Sequence, residues 1–123
     1  MNIEQLREYC ITKKGTTEEF PFDQDTLVFK VMGKIFAMIS LEDWESDNAR
    51  INLKCDPVEA IRLREKYSDT VLPGYHMNKK HWNTVIINGT LPDSKIQSLI
   101  DHSFDLVISK LPKKIREELQ NLS

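Results

Sequence analysis

Apolar positions along the chain change their spacing several times, and each change marks an element. Ile3, Leu6, Tyr9 and Cys10 share one face of a helix, Asn2 and Gln5 stand in capping-box register, and Gly15 ends the run. The spacing predicts a helix over about 3–14. TLVFKVMGKIFAMIS then reads as two β-runs, 26–32 and 35–40, joined by a tight hairpin centred on Gly33–Lys34. Lys30 interrupts the face shared by Val28 and Met32, so that face is expected to meet water at its edge. RINLK (50–54) alternates as a half-buried strand does. Asp56 as N-cap, Pro57 at the first helical position and Glu59 as the other half of a capping box open a helix running to about Tyr67.

Farther on, HWNTVIIN is β-branched and stops at Asn88–Gly89, predicting a strand over 82–88. IQSLIDHSFDLVISKL sets Ile96, Leu99, Ile100, Ser103, Phe104, Val107 and Leu111 on one stripe before Pro112 breaks it. A short helix over about 113–121 ends the series. The order α-β-β-β-α-β-α-α, without repeats or low-complexity linkers, predicts one domain over 1–123: an α+β fold with a mainly antiparallel sheet and helices packed on one face.

The totals narrow the class. With 40% hydrophobic and 29% charged residues, a chain of 123 residues has the composition of a globular domain, long enough to bury roughly two thirds of its unfolded surface. No apolar run of about 18 residues exists, and MNIEQLREYC lacks the apolar core of a secretory signal, so a cytosolic protein is expected. Cys10 and Cys55 show no CxxC spacing and read as buried, reduced thiols. Net charge is −2, unevenly spread: residues 1–48 carry 5 basic and 10 acidic side chains, residues 49–123 carry 12 and 9. EDWESDN (42–48) gathers acids around Trp44, while KLPKKIR (110–116) carries four cations and no acid.

Most catalytic chemistry lacks support. The four glycines form no GxGxxG or P-loop, no serine sits in a GxSxG elbow, and neither cysteine has a neighbouring histidine, so neither an enzyme nor a cofactor is expected. His76 and His81 are five apart, with Lys79 and Lys80 between them to repel a cation, and no metal site is expected. Asp101 and Asp105, one turn apart, read as solvated surface.

One stretch survives, PGYHMNKKHWNTV (73–85). It offers the charges of Lys79 and Lys80, the imidazoles of His76 and His81, the amide of Asn78 and the rings of Tyr75 and Trp82, with no acid to offset them. Cations that displace counterions from phosphate, beside aromatic faces that stack on unpaired bases, suit DNA or single-stranded nucleic acid. Lys113, Lys114 and Arg116 of the terminal helix are expected to join the same basic patch. The competing reading makes Trp82 and His81 core or rim residues that pin the loop to the sheet.

These segments resemble the MmcQ/YjbR family of small bacterial proteins. The resemblance runs through FPFDQDTLVFKVMGKIFAMI, INLKCDPVEAIRLREKY, PGYHMNKKHWNTV and DHSFDLVISKLPKKIREEL, nearly the whole chain, and PGYHMNKKHWNTV is its most specific motif. Asp23, where relatives often carry glycine, and Phe104, where tyrosine is frequent, depart from the pattern. The family is commonly labelled DNA-binding, and its fold is similar to frataxin-like and secretion-chaperone-like α+β domains. The resemblance therefore implies a DNA-binding protein. The overall acidic charge makes any such binding weak and local. A protein-interaction or chaperone-like module using an exposed sheet face is the alternative, and frataxin-like iron handling by the 42–48 acids is a third.

Overall fold

In the computed structural model, which describes residues 1–122, the order of elements is α1 (Ile3–Ile11), β1 (Thr16–Glu19), β2 (Thr26–Val31), β3 (Lys34–Ser40), α2 (Leu41–Glu45), β4 (Arg50–Lys54), α3 (Pro57–Lys66), β5 (Val71–Pro73), β6 (Trp82–Ile86), α4 (Asp93–Ser109) and α5 (Lys113–Gln120). Every strand pairing is antiparallel, in the spatial order β1-β2-β3-β4-β6-β5. The expected α+β class and the expected order of elements are both present. Three short elements, β1, α2 and β5, are added between them.

Alternation along the strands sends Leu27, Phe29, Ala37, Ile39, Ile51, Leu53 and Val85 to one face, where they are buried against Leu6 and Cys10 of α1, Leu63 of α3 and Ile96, Ile100 and Val107 of α4. Phe29 faces Ala37 while Lys30 faces Ile35, so Phe36 is the extra residue of a β-bulge. The bulge turns Phe36 and Ala37, consecutive in sequence, both into the core. The ring of Phe36 meets Phe104 edge-on at 5.2 Å.

Local details correct several expectations. The hairpin turn is centred on Met32 (φ 48°) and Gly33 (φ 83°), one residue earlier than Gly33–Lys34, as two adjacent positive φ angles require. Asp56 caps α3 by accepting from the amides of Val58 and Glu59, but its own amide donates to His102 Nε2 at 3.2 Å, the role assigned to Glu59 in a capping box. Asp101 is not simple surface: one of its oxygens accepts from Tyr9 Oη at 2.7 Å and from Lys13 Nζ at 2.5 Å, tying α1 to α4. Burial, reinforced by this hydrogen bond, pushes the Tyr9 hydroxyl up to about 12.

The strand registers place several connections at one end of the sheet. Lys54 lies opposite Trp82, Leu53 opposite Ala37, and Lys34 closes the β2–β3 turn. The 74–81 loop, the C-terminal residues of β4 and the hairpin tip therefore share that end, and the last turn of α4 reaches it through Val107 and Lys110.

Candidate nucleic-acid interface

The 74–81 loop is built by backbone needs first. Gly74 donates to the Trp82 carbonyl at 2.9 Å, and a β-carbon at position 74 would stand 2.8 Å from Trp82 Cβ and 2.9 Å from that carbonyl oxygen. Only glycine allows this approach. His76 takes φ 58°, and the Asn78 carbonyl accepts the amides of His81 and Trp82 at 3.1 and 3.0 Å. The Asn78 side chain accepts from the Lys80 amide at 3.0 Å, so this amide group, read as a ligand contact, shapes the turn. From α3, the Arg64 guanidinium donates Nε–H to Asn83 Oδ1 at 2.8 Å and grips the Lys79 carbonyl. The Cys55 amide holds the His81 carbonyl at 2.8 Å.

On this frame the candidate residues divide. Tyr75 is 67% exposed, its ring 4.0 Å from that of His76. Asn78, Lys79 and Lys80 are also exposed, and neither lysine joins an ion pair among the described residues. His81 and Trp82 are half-buried at the root of the loop, between the core and surface alternatives. His81 faces a cavity of about 330 Å³ shared with Lys54, Cys55, Leu106 and Lys110. Burial, with Glu59 and Asp56 nearby, pushes the Cys55 thiol up to about 11, so this Cys–His neighbourhood holds a protonated sulfur at neutral pH.

Beyond Lys54 and Lys110 opens a second groove, of about 490 Å³, with Lys30, Lys34, Lys54 and Lys110 on its walls beside Phe22, which is 66% exposed. No carboxylate lines it, though Lys30 Nζ lies 3.6 Å from Glu19 at one flank. Sequence reasoning missed this groove because its four lysines come from β2, the hairpin tip, β4 and the end of α4, and of them only Lys110 stands in a local cationic run. Lys113, Lys114 and Arg116 are exposed on α5, which begins two residues after Leu111 on the groove wall. Leu119 of α5 lies against Gly15, next to β1, and Lys14 Nζ donates to the Gln120 carbonyl at 2.8 Å. No hydrogen bond or ion pair joins α5 to the loop among the described residues. Neither the loop lysines nor the α5 cations line the lysine groove itself. The acidic 42–48 segment is elsewhere: Trp44 Nε1 donates to the Arg50 carbonyl at 3.0 Å, fixing α2 against the start of β4.

A family model described as YjbR matches residues 11–106. The chain is 37% identical to the uncharacterized protein YjbR of Escherichia coli (strain K12) over 123 residues, covering 99% of this chain and all of that one. It is 45% identical to the uncharacterized protein YyaQ of Bacillus subtilis (strain 168) over 114 residues, or 84% of this chain and 95% of that one. Among solved structures, Deinococcus radiodurans protein DR2400 superposes with a TM-score of 0.88 at 37% identity, covering 97% of this chain and 88% of that one. A Pseudomonas syringae protein superposes at 0.68 with 31% identity, covering 86% of this chain and 98% of that one.

Proposed function

The chain belongs to the YjbR family, and on that premise we propose that it is a cytoplasmic, non-catalytic protein that binds nucleic acid weakly along one end of its sheet. The observation that carries the reading is the groove walled by Lys30, Lys34, Lys54 and Lys110 without a carboxylate, on the same end as the exposed Lys79 and Lys80. Phosphates following this band release counterions, and the exposed rings of Tyr75 and Phe22 give unpaired bases a surface for stacking. Half-buried Trp82 supports the loop instead of stacking on a base. With a net charge of −2 the rest of the molecule repels the polyanion, so contact stays local and salt-sensitive.

The test is fluorescence anisotropy with short labelled single and duplex DNA across a salt series. Neutralising about four phosphates predicts a slope of log affinity against log salt of roughly −3.6 for duplex and roughly −2.8 for single strands. Replacing Lys79 and Lys80 by alanine should flatten the duplex slope by roughly 2, and replacing Lys34 and Lys110 should do the same. Tyr75→Ala should cost about 1–3 kcal/mol with single strands and much less with duplex. Absence of binding even at about 20 mM salt would end this reading. It would favour a protein partner, for which Val58 and Ile61, 68% and 53% exposed on α3, are the apolar contacts on offer.

A further inference from the structure

The face of the sheet turned away from α4 carries a second concavity, of about 550 Å³, between α2 and the 74–81 loop. Met38, Arg50 and Asn52 line it from the strands, Tyr75, His76 and Met77 from the loop, and Asp43 and Asn48 from the side of α2. Its polar groups are arranged for an anion. The Tyr75 amide donates to Thr84 Oγ1 at 3.1 Å, so the Thr84 hydroxyl proton is free to go onward, to Asn52 Oδ1 at 2.6 Å. Asn52 therefore turns its oxygen to Thr84 and leaves its NH2 without a protein acceptor among the described residues. Beside it, Arg50 donates through Nη2 to Asn48 at 2.5 Å, while its buried Nε–H has no partner and the guanidinium joins no ion pair among the described residues. Arg50 and Asn52 both line the concavity, and a guanidinium beside an amide NH2 matches the oxygens of a carboxylate or phosphate.

We propose that this concavity binds a small molecule with a carboxylate or phosphate head, held by Arg50 and Asn52, and a flat apolar body lying against Met38, Met77 and Tyr75. Asp43, the one carboxylate on the walls, accepts from an N–H donor on the ligand. This site shares Tyr75 with the stacking surface proposed above, but it is separate from the lysine groove and does not depend on nucleic-acid binding: Arg50 and Asn52 take no part in the cationic band. It gives a use to the first half of PGYHMNKKHWNTV, whose Tyr75, His76 and Met77 form one wall, whereas Lys79 and Lys80 do not line it.

The experiment follows amide shifts of the whole chain during titration with adenosine 5′-monophosphate, with phenylalanine, and with inorganic phosphate as a head-only control. Adenosine monophosphate or phenylalanine, the two arms separating a phosphate from a carboxylate head, should move the amides of Met38, Arg50, Asn52 and Tyr75. Inorganic phosphate should bind at least about tenfold more weakly for want of the apolar body. Asn52→Asp retains the acceptor for Thr84 and so leaves the loop anchored, while replacing the donating NH2 by a charged oxygen. It and Arg50→Gln should each weaken binding about tenfold or more, with unchanged thermal melting for Asn52→Asp. The Lys79→Ala, Lys80→Ala double variant should bind the small probes like wild type. The proposal is overturned if neither full probe moves these amides at about 5 mM, if both pocket variants bind like wild type, or if the lysine variant abolishes binding.

Discussion

The Ser103 hydroxyl donates to the Phe36 carbonyl at 2.5 Å and accepts the Lys54 amide at 2.9 Å, so one side chain of α4 bridges the bulged residue of β3 and the last residue of β4. A serine on an apolar helical stripe, fully buried, is there for these two backbone groups. Ser103→Ala leaves both without partners and should cost on the order of 2 kcal/mol in urea melts. A loss under about 0.5 kcal/mol would mean that solvent reaches the bulge.

Phe104 illustrates how partial burial tempers a core prediction. Its ring packs edge-on to Phe36 and lies 5.1 Å from Lys13 Nζ, but it is only half-buried. Phe104→Ala should therefore cost about 2 kcal/mol, below the roughly 3–5 kcal/mol of an enclosed phenylalanine. Chemical denaturation of the two proteins gives the difference directly. Phe104→Tyr should be nearly neutral in the same melts.

Gly74→Ala tests the loop. The added methyl group would overlap the Trp82 backbone, and the expected cost is about 1–3 kcal/mol, with the amides of residues 75–81 exchanging faster than in wild type. Unchanged exchange would show that the close approach of Gly74 to Trp82 does not hold the loop in place.

The thiols give a pH prediction. Burial raises Cys10 to about 12 and Cys55 to about 11, above the 9.0 of an unhindered thiol. The stability tied to these raised values is complete below pH 9, where both states keep their protons. It is lost as the pH climbs through 9 towards 11–12 and the unfolded chain alone ionises. Melting temperature should fall over that window. Iodoacetamide at pH 8 should label the folded protein far more slowly than the urea-unfolded one. Fast labelling of either folded thiol would place it at the surface.

What the sequence disclosed and what it concealed follow from range. The stripe from Ile96 to Leu111, the Asn2–Gln5 capping box and the Pro57 helix start are local patterns, and each is present in the fold. The strands TTEE and VLP are too short and polar, or too proline-bound, to signal themselves; they exist because β2 and β6 offer them a ladder. The LEDWE helix depends on the Trp44 bond to the Arg50 carbonyl, six residues away. Within PGYHMNKKHWNTV, the exposure of Tyr75, Lys79 and Lys80 fits a binding loop, whereas Asn78 and Trp82 serve its architecture. The lysine groove and the Arg50–Asn52 concavity are tertiary: strand register and loop return bring their members together, and no spacing along the chain encodes them.

The two shortest strands also decide how the sheet meets other chains. β1 is four residues long and bears Glu18 and Glu19, and β5 is three long, its first amide bonded back to the Tyr67 carbonyl and its last position a proline without N–H. Neither border offers a run of free donors long enough to template a neighbouring strand, so edge-to-edge stacking into fibres is suppressed at both sides. Contact with another chain is left to side chains instead of an added strand, and concentrated solutions should stay free of cross-β aggregates while the fold holds.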